Sequence, residues 1–165
     1  MKNSISLIGM AGAGKSSVGK MLATELNLEF KDSDILIESH YRKSLQEILN
    51  QQGYLKLREI EDLVIRSIPM DSVVLSTGGS AVYSNEAMAH IQKNSNVIFL
   101  DVPFNQILER VPSFLERGFA KAPSQSIEDA YAERQKLYQT NSHYRVSNAK
   151  NLDSCITKII ELFQT

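Results

Sequence analysis

Gly9-Met10-Ala11-Gly12-Ala13-Gly14-Lys15-Ser16 matches G-x-x-x-x-G-K-[ST] at every fixed position. The apolar run before it, Ser4 to Ile8, reads as a short buried strand. After it, Val18, Met21, Leu22 and Leu26 recur at helical spacing within Ser16 to Leu26. Strand, glycine loop and helix in that order are the context in which this pattern cradles phosphate, and an ordinary glycine turn does not require all three. Glycines at 9, 12 and 14 permit backbone shapes and close approaches that a Cβ obstructs. Consecutive N–H groups through Gly12, Ala13 and Gly14 can then point at phosphate oxygens, beside the helix amino terminus that Ser16 and Ser17 open. Lys15 adds a mobile positive charge for the β- and γ-phosphates, and Ser16 offers a hydroxyl to Mg²⁺.

The rest of the chain alternates strand and helix patterns. Leu28 to Lys31 is a possible second strand, and Val73 to Ser76, Val97 to Leu100 and Tyr144 to Ser147 are further short runs. Ser44 with Glu47 three residues on forms a capping box, and Gly53 ends that helix. Leu57, Ile60, Val64 and Ile68 form one stripe of the next helix. Asn105 to Arg110, Ile127 to Thr140 and a carboxy-terminal segment with Ile156, Ile159, Ile160 and Phe163 on one face read as helices. This predicts an α/β fold with three layers, a short parallel sheet with helices on both faces. Ligands of such sheets sit beyond the carboxyl ends of the strands, so the loops after each strand are where chemistry is expected.

Composition narrows the class. The 165 residues suit a single domain, 1–165, and 42% hydrophobic with 22% charged residues is a globular balance. A net charge of -1 argues against a broadly basic nucleic-acid binder. No apolar run is long enough for a membrane span, and the amino-terminal stretch does not read as a secretory signal. The lone Cys155 excludes an internal disulfide framework and points to a reducing cytoplasmic setting. His40, His90 and His143 lack metal spacing, and Tyr131 and Tyr138 read as packing residues.

Asp32-Ser33-Asp34 follows the second strand. If the segment is extended, both carboxylates point the same way, one toward the Mg²⁺ shell and one toward a substrate hydroxyl. A helix cap by Asp34 is the plainer alternative. After the third strand, Thr77-Gly78-Gly79-Ser80 can expose N–H donors to a ligand. Arg58 has Glu61 one helical turn away as an ion-pair partner, and Arg134 lies in another helix. Two arginines meeting on one carboxylate would give charge-assisted hydrogen bonds. Val111 to Ser124 has no clean period and is expected to be a mobile lid over about 111–124, carrying Arg117.

Taken in order, these segments resemble the shikimate kinase family, within the nucleoside-monophosphate-kinase-like branch of P-loop proteins. The resemblance rests on Gly9 to Ser16, Asp32-Ser33-Asp34, Ser44 to Ile48, Leu57-Arg58-Glu59-Ile60-Glu61, Ser76 to Gly79, Arg110, Arg117 and Glu133-Arg134 with Leu137-Tyr138. It implies a P-loop kinase fold and transfer of the γ-phosphate of ATP to the 3-hydroxyl of shikimate. By resemblance Lys15, Asp34 and Arg117 are the catalytic set, and Ser16 and Asp32 serve Mg²⁺. Arg58, Arg134, Asp34, Gly78, Gly79 and Ser80 would hold shikimate. Gly12 to Ser17, Arg110, Arg117 and Asn148 would hold the nucleotide, with Arg110 stacking on adenine. The partners implied are ATP and shikimate, and a monomer is expected.

Two departures fall on the acceptor side. The family has three consecutive glycines where this chain has Gly78-Gly79-Ser80, and serine adds bulk and restricts φ. The family's lid arginine is followed by Pro and Leu, whereas here Arg117-Gly118-Phe119-Ala120 is expected to loosen the hinge. They keep two alternatives open: a related kinase of another small hydroxy acid, and a silent ATP-binding paralogue acting through a partner.

Overall fold

The computed structural model describes residues 2–164, apart from the side chains of Leu115 and Gln164. Met1 and Thr165, the ends of the expected 1–165 unit, lie outside the described residues. Five strands form one parallel sheet: β1 (Ile5–Ile8), β2 (Glu29–Asp32), β3 (Val73–Ser76), β4 (Asn96–Asp101) and β5 (Tyr144–Ser147), in the order β2-β3-β1-β4-β5. β3 inserts between β2 and β1, and the chain then crosses to the other side of β1 for β4 and β5. The helices are α1 (Lys15–Leu26), α2 (Ser33–Tyr41), α3 (Leu45–Gln52), α4 (Tyr54–Ser67), α5 (Asn85–Asn94), α6 (Phe104–Arg110), α7 (Ile127–Asn141) and α8 (Leu152–Gln164).

Alternation along the strands explains the three layers. Ile5, Leu7, Val74, Ile98 and Leu100 face one way and pack with Val18 and Leu22 of α1 and Cys155 and Ile159 of α8. Ile8, Val73, Leu75, Val97 and Phe99 face the other way, against Ile65 of α4, Met88 and Ile91 of α5 and Tyr138 of α7. The central strands β1, β3 and β4 are buried on both faces, which is why they read as apolar runs, whereas the edge strands β2 and β5 are partly exposed and mix polar with apolar residues. A third, smaller core joins Ile37, Ile48, Leu57 and Ile60 of α2, α3 and α4 to Ala120 of the lid segment.

Several helix starts follow from local chemistry. Ser44 and Glu47 make the expected capping box on α3. Ser84 and Ser126 accept from Ala87 N and Asp129 N to cap α5 and α7. The extended reading of Asp32-Ser33-Asp34 is corrected. Asp32 ends β2 with extended dihedrals and caps α2, its Oδ1 accepting from the amides of Asp34 at 3.0 Å and Ile35 at 3.3 Å. Asp34 is therefore helical, and the cap is Asp32. No described helix is long and apolar enough to cross a membrane.

Candidate active site

The loops after β1, β2 and β3 converge because parallel register aligns the strand ends. Asp32 pairs with Ser76 across β2 and β3, and β1 adjoins β3. Ser16 Oγ donates to Asp32 Oδ2 at 2.5 Å and lies 3.4 Å from Ser76 Oγ. Gly12 and Gly14 have φ of +80° and +91°, which only glycine adopts freely, and Gly14 forms the amino-terminal cap of α1. Lys15 is buried, and its ammonium donates to the carbonyls of Gly9 at 2.8 Å and Met10 at 2.7 Å. Burial lowers its pKa to about 8, opposed by the carboxylates of Asp34, Asp32 and Glu61. Ser17 is exposed in the first turn of α1.

On the far side of this loop, Asn148 Nδ2 donates to Ala13 O at 2.8 Å. Arg110 donates to Asn148 O at 2.8 Å and Gly12 O at 3.4 Å. The exposed Arg110 side chain thus bridges the phosphate loop and the loop after β5, while Asn148 is buried as a strut for the phosphate loop.

Toward β2 and β3 lies a pocket between the sheet edge and the 111–124 segment, lined by Asp34, Glu61, Gly79, Ser80, Arg117 and Arg134. Asp34 has its pKa raised to about 7, first by burial and then by the charges of Glu61 and Asp32, with Lys15 opposing. Arg58 Nη2 and Arg134 Nη2 both donate to one oxygen, the carbonyl of Ala120, at 2.9 Å and 2.6 Å. The Nε groups of both arginines are buried without a hydrogen-bond partner among the described residues.

The expected Arg58–Glu61 pair is corrected. The Arg58 guanidinium lies 3.6 Å from the ring centroid of Tyr83, and desolvation lowers its pKa. Glu61 is buried, its Oε2 accepts from Ser80 Oγ, and burial raises its pKa.

The glycine loop also differs from expectation. Gly78 N–H donates to Ser33 Oγ at 2.9 Å and is not a free donor. Gly79 O accepts from Tyr138 OH at 2.5 Å. Ser80 sits at φ −96°, open to any L-residue, so the serine is unstrained. Gly118 does not loosen the lid either. It adopts φ +66°, and a Cβ there would collide with Leu45 Cβ and stand 2.7 Å from the Leu45 carbonyl carbon. Its N–H donates to Gln46 Oε1 at 2.7 Å, which seats the lid on α3. Arg117 is exposed at the pocket rim.

Sequence reasoning missed Glu61, Tyr83, Ser33 and the hydroxyl of Tyr138 as parts of the site. Ser33, Glu61 and Tyr138 fall inside segments that carry the resemblance, but spacing alone does not assign their side chains to the site. The one legible hint was an aromatic or acidic residue beside an already suspected arginine.

A phosphate loop facing a buried acid and an arginine pair across one sheet edge is the arrangement of the P-loop small-molecule kinases. A sequence model of the shikimate kinase family matches residues 11–164. The shikimate kinase of Sulfurihydrogenibium sp. (strain YO3AOP1) is 36% identical over 161 residues, covering 97% of this chain and 96% of that protein. The structure of shikimate kinase from Acinetobacter baumannii in complex with shikimate superposes with a TM-score of 0.87 at 28% identity, covering 98% of this chain and 92% of that one. The Aquifex aeolicus shikimate kinase structure gives 0.84 at 29% identity, covering 98% of this chain and 96% of that one. The chain belongs to the shikimate kinase family.

Proposed function

We propose that this protein transfers the γ-phosphate of ATP to the 3-hydroxyl of shikimate, giving shikimate 3-phosphate and ADP. One observation carries the acceptor side: Arg58 and Arg134 converge on a single oxygen while each keeps a buried Nε–H unpartnered. A carbonyl supplies one neutral oxygen to two cations. A substrate carboxylate supplies two oxygens and a charge, and would displace it with stronger, charge-assisted bonds.

In this reading Asp34 accepts the proton of the 3-hydroxyl. A carboxyl with a pKa of about 7 suits a general base at neutral pH. The deprotonating oxygen forms a bond to the γ-phosphorus as the bond from γ-phosphorus to the bridging oxygen of ADP breaks. Lys15 and the lid's Arg117 counter the charge on the phosphoryl oxygens. Gly79 and Ser80 bound the acceptor. Gly12 to Ser17 would wrap the phosphates, and Arg110 would border the adenine. The 111–124 lid keeps water from the phosphoryl group.

The oxygens of Ser16 and Asp32 are hard ligands suited to Mg²⁺, and no cluster of three or more His, Cys, Asp or Glu side chains forms a metal cage among the described residues. Ser16 and Asp32 are the residues that would hold the ion, together with the phosphates and water. Bound there, Mg²⁺ supplies charge neutralisation on the β- and γ-phosphates.

The test is ADP release coupled to shikimate, against a panel of other hydroxy acids. Stimulation by shikimate supports the reading, and none at millimolar acceptor overturns it. Preference for another acid would select the related-kinase alternative. A monomeric domain working in the cytoplasm completes the proposal, the reducing setting being suggested by a chain whose one cysteine, Cys155, is free.

A further inference from the structure

Glu61 and Arg58 lie one turn apart on α4, where an acid and a base ordinarily pair. Here they do not. Arg58 is stacked on Tyr83 and committed to Ala120 O, and Glu61 is turned to the loop after β3. The group that turns it is the Ser80 hydroxyl, which donates to Glu61 Oε2. The other oxygen, Oε1, is buried in the pocket wall with no partner among the described residues. It flanks the same spot as Asp34. A Cβ built on Gly78 would collide with Glu61 Oε1 and lie 2.7 Å from Asp34 Oδ1.

We infer that Ser80 is a positioning residue for acceptor recognition, pinning Glu61 so that Oε1 stands beside Asp34 as a second oxygen for an acceptor hydroxyl. The inference rests on the proposed phosphorylation of a polyhydroxylated acid. A buried acceptor atom without a donor costs free energy until a donor fills it. A site of that kind discriminates strongly against an analogue that lacks the matching hydroxyl. With glycine at position 80, Glu61 would be free to swing to Arg58, and both the hydroxyl contact and the carboxylate clamp would be altered together. The serine therefore separates two jobs on one helix face: Arg58 for the carboxylate, Glu61 for a hydroxyl.

The experiment is steady-state kinetics on the full chain and on Ser80→Ala, Ser80→Thr, Glu61→Gln and the Ser80→Ala/Glu61→Gln double variant. The substrates are shikimate and its two analogues lacking one of the non-transferred ring hydroxyls. The wild-type chain is expected to lose at least tenfold in kcat/KM with one analogue. Ser80→Ala is expected to shrink that discrimination below threefold and raise KM for shikimate about tenfold, with KM for ATP moving less than twofold. Ser80→Thr, which keeps the hydroxyl, is expected to retain the discrimination. The double variant is expected to be no worse than Glu61→Gln alone, because Ser80 acts through that carboxylate. Additive losses, or discrimination unchanged in Ser80→Ala, overturn the inference. If Ser80→Ala does not fold, Ser80→Gly takes its place in the same comparison. No turnover of shikimate by the wild-type chain overturns both this and the proposed function, whereas turnover with unchanged discrimination overturns this alone.

Discussion

Arg58 on α4 and Arg134 on α7 meet on the same carbonyl oxygen, that of Ala120, from residues 76 positions apart in the chain. That carbonyl belongs to the 111–124 segment, so α4, α7 and this segment are joined at one atom. Arg134 is only 1% exposed, with its guanidinium 4.1 Å from the ring centroid of Phe119. A cation buried that deeply beside a neutral oxygen is costly unless an anion arrives to complete it.

Arg58→Lys is therefore expected to raise KM for shikimate. Lysine keeps the charge and loses the fork and the flat stacking on Tyr83. A lost charge-assisted bond of about 1.5–3 kcal/mol corresponds to a KM increase of about 10- to 150-fold. Initial rates at varied shikimate measure it, with KM for ATP as the internal control.

Asp34→Asn is expected to lower kcat by about 10²–10⁴-fold while ATP binding, read by calorimetry, persists. In the wild-type chain kcat/KM should fall about tenfold per pH unit below pH 7, as Asp34 takes up its proton. Stability runs the other way. The pKa of Asp34 is raised from 3.8 to about 7, so the contribution of its protonated form is full below about pH 4, falls as pH rises between about 4 and 7, and is gone above about 7. The asparagine variant should accordingly melt higher at pH 8, by about 2–4 °C for about 1 kcal/mol, with the gain vanishing toward pH 4.

Gly118→Ala is expected to unseat the lid, because a Cβ at φ +66° meets the backbone of Leu45 and Gln46. KM for shikimate should rise, and ADP release without acceptor should increase relative to transfer as water gains access. Gly53→Ala, at a similarly positive φ of +84° but with nothing within 4 Å of the added Cβ, is the control.

Tyr138→Phe removes one hydrogen bond, from the phenol to Gly79 O at 2.5 Å, and leaves the ring stacked on Phe99. A net loss of about 1 kcal/mol is expected, visible as a fall in Tm of about 2–4 °C. A rise in KM for shikimate would accompany it as the Gly79 turn loosens.

What the sequence disclosed follows the range of the interactions. The phosphate loop, the α3 capping box and strands β3 and β5 are local, and Val73 to Ser76 and Tyr144 to Ser147 stand where their apolar runs place them. α5 leaves a weak pattern because its buried residues, Ala87, Met88 and Ile91, include a small one and its Ser84 cap lacks an acidic partner three residues on. Glu61 lies one turn from Arg58 on α4, yet its partner is Ser80, 19 residues on and across β3. The shared use of one carbonyl by two arginines depends on where the lid lies, which no spacing encodes.

Asp32 holds the start of α2 with one oxygen and Ser16 of the phosphate loop with the other. Its carboxylate is thus common property of the nucleotide half and the acceptor half. Through it, the hydroxyl that faces the phosphates and the helix that carries Asp34 are joined by two hydrogen-bond contacts to one side chain. A factor by which the nucleotide changes the acceptor's affinity through this carboxylate is, by the same linkage, the factor by which the acceptor changes the nucleotide's.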